Sequence, residues 1–274
     1  MLAFVLTVPA NEVDLASDAL WALGVAAIEE RSPEAPTEDH FVDLWTSLGT
    51  DVAAITKAAE AFPARWRWHT EEVDPAVVDT WRRHAVPSWI ERDLVVVPAW
   101  LDPALDDGVI RIDIDPGVAF GLGDHPTTVL TLRMLRRVLW PGATVLDVGC
   151  GSGVLSVAAA RLGAPYVEAI DVSAAAIEAT LANAERNGFA GVINASTRPV
   201  ADIDDQFDVV VANLLAPVVV DLATDLQRLV GPSGALVVSG VLESSHAHVR
   251  RALEPLQIVD TAAREGWIVL QARH

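Results

Sequence analysis

Val145-Leu-Asp-Val-Gly-Cys-Gly-Ser-Gly-Val-Leu155 decides the fold of this 274-residue chain. An apolar run suited to a buried strand ends in Gly149, Gly151 and Gly153, and an Ala-rich helical pattern from Val154 to Leu162 follows at once. Strand, glycine turn and helix together let a main chain approach a nucleoside-bearing cofactor with no side chain in the way. From Thr127 onward helical and strand patterns alternate at the spacing of crossover units, which predicts an α/β domain on a mostly parallel sheet. The strands expected are Thr144–Val148, Tyr166–Asp171, Ile193–Ser196, Phe207–Ala212 and Ala235–Gly240. The segments Gln257–Glu265 and Trp267–Ala272 sit around Gly266 at hairpin spacing, so at least one closing strand should run antiparallel.

Ahead of this region, residues 1–73 read as strand (Leu2–Val8), helix (Asn11–Leu23, Asn11 as N-cap), strand (Gly24–Glu30), strand (Phe41–Ser47), helix (Thr50–Ala61) and strand (Arg65–Glu71). The polar segment 32–40 reads as a turn. That succession predicts a ferredoxin-like α+β domain. Residues 74–91 read as a linker helix that carries Trp81-Arg-Arg83 and ends near Pro87, with the larger domain over 92–274. Leu94–Trp100 and Val109–Ile114 are expected to form a hairpin that opens it.

The formal net charge is −19, which disfavours nucleic-acid partners, whose phosphates must be neutralised by Lys and Arg. It suits a cationic protein partner through long-range attraction, and residues 1–73 carry 13 acidic against 4 basic residues. The apolar start Met1–Pro9 lacks the basic flank of a secretory signal, and no apolar run reaches membrane-spanning length. Cys150 is the one cysteine, so no intrachain disulfide forms, in keeping with a reducing cytoplasm. A cytoplasmic monomer, with no membrane partner and no metal, is expected.

Glycines after a first strand serve NAD, FAD or S-adenosylmethionine. The spacing here is G-x-G-x-G, with Val154 where a dinucleotide fingerprint has its third glycine, so the pyrophosphate reading is weakened. Asp171 ends the next strand, placed to accept hydrogen bonds from both hydroxyls of an adenosine ribose, a feature common to NAD and S-adenosylmethionine. Asp147 is expected either to brace the glycine turn through backbone N–H groups or to face the cofactor's amino group. The apolar strand Val209-Val-Val-Ala-Asn213 stops at an asparagine, at the edge where open parallel sheets bind ligands. In Phe120-Gly-Leu-Gly-Asp-His-Pro-Thr-Thr128, Thr127 or Thr128 is expected to cap the first crossover helix. His125 reads as a shaping residue or a general base, and Cys150 as a small residue within the turn.

These motifs, with Asn183-Ala-Glu-Arg-Asn-Gly188 and Ser239-Gly-Val-Leu242, resemble the PrmA family, the methyltransferases that modify protein eleven of the large ribosomal subunit. Leu122 and Asp124 depart from the family pattern. The resemblance implies a Rossmann-like, seven-stranded S-adenosylmethionine-dependent methyltransferase domain behind a ferredoxin-like substrate-recognition domain. It also implies that Thr128, Gly149, Asp171 and Asn213 bind S-adenosylmethionine, and Phe120, Asp147 and Gly151 join them as cofactor contacts. The Asn213 side chain and the backbone carbonyls of Asn213 and Leu214 are the expected orienting acceptors for a target amine, a lysine ε-amine or an N-terminal α-amine of a basic ribosomal protein. The alternatives are a lysine methyltransferase of another protein, an NAD-linked oxidoreductase and a non-catalytic binder of a basic protein.

Overall fold

In the computed structural model, residues 2–23, 25, 28–31, 41–46, 52–72, 82, 85–116 and 123–274 are described. The chain divides into two compact units, residues 1–85 and 86–274. Among the described residues no helix is long and apolar enough to cross a membrane.

The first unit contains β1 (Leu2–Pro9), α1 (Val13–Ala22), β2 (Ile28–Arg31), β3 (Phe41–Thr46), α2 (Val52–Ala59) and β4 (Arg67–Glu72). Its sheet order is β2-β3-β1-β4, antiparallel throughout, the arrangement the residue pattern predicts. Side chains alternate across a strand, so Phe4, Leu6 and Val8 share one face of β1 and pack with Ala16, Leu20, Leu44, Ile55 and Trp66. Glu12 ties the start of α1 to the start of β4, accepting from Trp66 Nε1 at 2.7 Å and Arg65 Nε at 2.8 Å. Asn11 is not an N-cap: it lies inside a 3-10 turn, Ala10–Glu12, that runs straight into α1. Gly24, Ala26 and Ala27 of the expected second strand, the expected turn 32–40, and most of the expected linker helix lie outside the described residues.

Two expectations at the entry to the second unit are corrected. Ser88–Glu91 is not the end of a linker helix but strand β5, paired antiparallel with β6 (Leu94–Pro98). Pro87 offers no N–H to continue a helix, and Arg92–Asp93 form a tight turn. The segment after β6 is no hairpin either. β7 (Ile110–Ile114) runs parallel to β6, with Val96 opposite Ile112, because Ala99–Val109 carries the chain back to the start of the sheet. Arg111 holds that return, donating to Asp102 Oδ1 at 2.8 Å and to Asp113 Oδ1 at 2.9 Å.

The main sheet comprises β8 (Val145–Val148), β9 (Val167–Ile170), β10 (Ile193–Ser196), β11 (Phe207–Asn213), β12 (Val230–Leu242), β13 (Gln257–Arg264) and β14 (Trp267–Arg273). Their order is β10-β9-β8-β11-β12-β14-β13. The first five are parallel, and β14 runs antiparallel to both neighbours. The helices are α3 (Pro126–Val138), α4 (Val154–Arg161), α5 (Ala174–Arg186), α6 (Ala216–Asp221), α7 (Ala223–Leu229) and α8 (Ala247–Ala252). They cover both faces, which is why the central strands read as unbroken apolar runs. Val145, Val211 and Val237 pack with Leu132 and Val157 on one face; Leu146, Val210 and Leu236 pack with Leu226 and Val249 on the other. The strand order reverses between β8 and β11, the place where such sheets open a crevice at their carboxyl ends.

Leu214 follows β11 at that reversal. Its N–H donates to Ser239 O at 3.1 Å, and Gly240, at φ +83°, passes so close that a Cβ there would sit 2.2 Å from Leu214 O. Gly240→Ala therefore combines a left-handed backbone with a main-chain clash, and should cost about 2 kcal/mol or more, read as a fall of several degrees in Tm. An unchanged Tm would contradict this close approach.

Candidate functional site

The site is built from the carboxyl ends of β8, β9 and β11. After Val148 the chain turns through three glycines with left-handed backbone, Gly149 at φ +77°, Gly151 at +55° and Gly153 at +78°. Gly149 and Cys150 both donate their N–H to Ile170 O, at 2.8 and 3.0 Å, so the turn is clipped to the end of β9. A Cβ on Gly149 would lie 2.3 Å from Leu214 Cδ2, and one on Gly153 would lie 2.9 Å from the Thr180 backbone. Glycine is required here by packing as well as by φ.

Asp171 follows β9 and faces this turn. Its Oδ2 accepts from Gly151 N at 3.0 Å and its Oδ1 from Ser173 N at 2.9 Å. Each carboxylate oxygen has two acceptor sites, so each retains one for a further donor. Val172 beside it is fully exposed. Ser173 caps α5, accepting from Ala176 N.

The expected turn brace, Asp147, is a correction. It reaches no N–H of the turn; Asp171 takes that part. Asp147 is fully buried, and its Oδ2 accepts from Ser156 Oγ on α4 at 2.6 Å. Strand alternation points Asp147 toward the α3 and α4 face, the side on which the glycine turn enters α4. Its Oδ1 is buried without a hydrogen-bond partner. Burial, offset in part by the Ser156 hydroxyl, pushes its pKa up to about 7.

Neither Thr127 nor Thr128 caps α3. His125 does so through Nδ1, which accepts from Thr127 N at 3.3 Å, with Pro126 in the first turn where its missing N–H costs nothing. The same Nδ1 lies 2.8 Å from Thr127 Oγ1, so the ring's contacts hold the shape of this turn at the start of α3. Burial lowers its pKa, against the opposing charges of Asp124 and Glu265, and its ring rests edge-on against Trp267 at 5.3 Å. Thr128 lies in the first turn of α3 with its hydroxyl buried and unpartnered among the described residues.

Asn213 ends β11, half-buried, on the sheet face that it shares with Val211 and Asp147. Leu214 is held between Gly149 and Gly240. Cys150 is buried inside the turn; burial drives its thiol pKa strongly upward, and its Sγ lies 3.3 Å from Thr180 Oγ1. That is a structural cysteine. Phe120 lies outside the described residues.

These residues suit an adenosyl cofactor. The turn presents backbone without side chains, Asp171 keeps acceptor capacity for hydroxyls, Val172 leaves an apolar surface beside it, and Thr128 Oγ1 and Asp147 Oδ1 are buried polar atoms still lacking partners. Sequence reasoning assigned no role to Thr180, whose Oγ1 donates to Gly151 O at 3.1 Å, or to Ser156. Neither stands out from its helical surroundings by residue type.

Comparison with known proteins agrees. The sequence profile of the family described as Ribosomal protein L11 methyltransferase (PrmA) matches residues 18–274. A ribosomal protein L11 methyltransferase of Desulfosudis oleivorans is 35% identical over 279 aligned residues, covering 95% of this chain and 92% of that protein. One from Symbiobacterium thermophilum is 40% identical over 212 residues, covering 77% and 68%. Among solved structures, a ribosomal protein L11 methylase from Lactobacillus delbrueckii subsp. bulgaricus aligns with a TM-score of 0.64 at 34% identity, over 69% of this chain and 99% of that one.

Asp147 gives the site a pH signature. A carboxyl whose pKa rises on folding contributes stability at low pH and loses it as pH rises through the folded value, here about 7. Asp147→Asn should therefore gain stability relative to the wild type as pH rises from about 4 to about 7, and hold that gain above it, by a few kcal/mol at most, as read by denaturant unfolding at each pH. A difference that does not change with pH would mean the buried carboxyl titrates normally.

Proposed function

The chain belongs to the PrmA family of ribosomal protein L11 methyltransferases, and on that premise we propose that it transfers methyl groups from S-adenosylmethionine to lysine ε-amines and the N-terminal α-amine of ribosomal protein L11. The NAD-linked alternative has no support among these relatives. The observation that carries the reading is the glycine turn held by Asp171, with acceptor sites to spare at the end of β9.

When bound, S-adenosylmethionine supplies a methyl group on a sulfonium, open to in-line displacement by an amine. Asp171 would accept from the ribose hydroxyls while keeping its bond to Gly151 N, so cofactor binding and turn geometry reinforce each other. Gly149 and Gly151 would let the main chain lie against the cofactor, and the Thr128 hydroxyl and Asp147 Oδ1 would find partners at its amino-acid end. The protein's remaining task is to hold a neutral amine in line with the methyl carbon.

A lysine ε-amine has an ordinary pKa near 10.4, so it must lose a proton before it can attack. A carboxylate against it would hold that proton on. Asn213 avoids this: its amide carbonyl, with the backbone carbonyls of Asn213 and Leu214, would orient the amine's N–H bonds without adding charge. Asp147 is buried against α4, and Asp171 is turned to Gly151 and Ser173, so neither need oppose deprotonation.

The first unit is the recognition module in this reading. It has its own core, and the net charge of −9 over residues 1–73 suits a cationic protein. In this reading the enzyme acts in the cytoplasm, with a basic protein rather than nucleic acid or membrane as its partner, in keeping with the acidic balance.

The test joins two measurements. Incubated with S-adenosylmethionine and unmodified L11, the protein should add 14-Da increments to lysine-containing and N-terminal peptides, read by mass spectrometry. Asp171→Ala should weaken binding of S-adenosylhomocysteine by about 1–3 kcal/mol in titration calorimetry. No methyl incorporation, or full affinity in the variant, would count against the reading.

A further inference from the structure

Among the described residues β7 has no strand partner on one edge, and a helix fills that place. Asn187, the C-cap residue of α5, accepts from Asp113 N at 3.0 Å and donates to Asp113 O at 2.7 Å. Asn183 treats Asp115 in the same way, accepting from its N–H at 3.0 Å and donating to its carbonyl at 2.8 Å. A primary amide carries the same donor and acceptor as a peptide group, so the two side chains stand in for two residues of a missing strand. The spacing explains why this works. Four helical residues rise about 6 Å, and two strand residues about 6.6 Å, so amides at i and i+4 of a helix meet alternate residues of a strand edge.

The two asparagines are not equivalent. Asn183 is fully buried, and its Nδ2 also donates to Ser152 O at 2.9 Å, inside the glycine turn. The second bond of Asn187 Nδ2, at 2.8 Å, returns to Asn183 O within its own helix. Asn183 thus joins three things: α5, the end of the strand that leads into the Phe120–Thr128 motif, and the turn that Asp171 holds from the other side. Thr180, one helical turn earlier, donates to Gly151 O, so α5 bonds two successive carbonyls of the same turn.

We infer that Asn183 is a positioning residue for methyl transfer: it sets the glycine turn at the depth the adenosyl cofactor requires, acting through Ser152 and Asp115 and touching neither cofactor nor amine. Asn187 shares the strand-edge duty alone and serves as its internal control. This rests on the cofactor reading proposed above.

The test is the matched pair Asn183→Ala and Asn187→Ala in the full chain. Each removes one pair of strand-edge bonds; only the first also removes a bond to Ser152 O. Asn183→Ala should weaken S-adenosylhomocysteine binding at least about tenfold, raise KM for S-adenosylmethionine more than it lowers kcat, and speed amide exchange at Ser152–Gly153 in the unliganded protein. Asn187→Ala should stay within about twofold of wild type in affinity, whatever it costs in stability. If Asn183→Ala does not fold, Asn183→Asp and Asn187→Asp repeat the comparison, since the first keeps the acceptor for Asp115 N but loses the donor to Ser152. Equal effects on affinity from both positions, or no effect from Asn183, would overturn the inference while leaving the methyltransferase reading intact. Wild-type protein that fails to bind S-adenosylhomocysteine would remove both.

Discussion

Leu214 occupies the point where three strand ends meet, and the site depends on how tightly they meet there. Its side chain lies where a Cβ on Gly149 would be, its carbonyl lies where a Cβ on Gly240 would be, and its N–H is bonded to Ser239 O. One glycine just after β8 and another within β12 are therefore required by the residue that follows β11. This convergence brings the end of β11, with Asn213, beside the turn after β8, at the strand-order reversal. Enlarging any of the three contacts would move the others, because packed interiors do not absorb such displacements cheaply.

Around that point the chain divides its polar work by burial. Asp171, partly exposed, orders the turn through Gly151 N and keeps acceptor capacity for a ligand. Asp147, fully buried, spends one oxygen on Ser156 and leaves the other without a partner, at the cost of a raised pKa. A buried, half-satisfied carboxyl is destabilising unless something completes it, which is the condition of a site organised for binding at the expense of stability. Asn213 completes the division as the neutral polar group at the rim, where a charge would fix the protonation state of an incoming amine.

Much of this was legible from residues 145–155, since few sequences supply three left-handed positions between a buried strand and a helix. The unbroken apolar runs foretold a sheet covered on both faces, and Gly266 foretold the closing hairpin. Pairing was harder to read. The segments at 94–100 and 109–114 carry the same local pattern whether they form a hairpin or a parallel pair, and only the Arg111 ion pairs and the path of Ala99–Val109 decide it. The roles of Asp147 and Asp171 could not be separated by spacing, because which carboxylate reaches the turn depends on how β9 sits beside β8. Asn183 and Asn187 stood in a quoted motif, yet amides at i and i+4 fit an ordinary helix surface equally well until β7 is seen against them.

In this reading the crevice between β8 and β11 takes an adenosyl group with its ribose on Asp171. A crystal structure with S-adenosylhomocysteine tests this most directly. It should place both ribose hydroxyls within hydrogen-bond distance of the Asp171 carboxylate, with the sulfur facing the Asn213 side chain and the Gly151 N–H still bonded to Asp171. Adenosine bound elsewhere, with Asp171 still bonded only to Gly151 and Ser173, would contradict it.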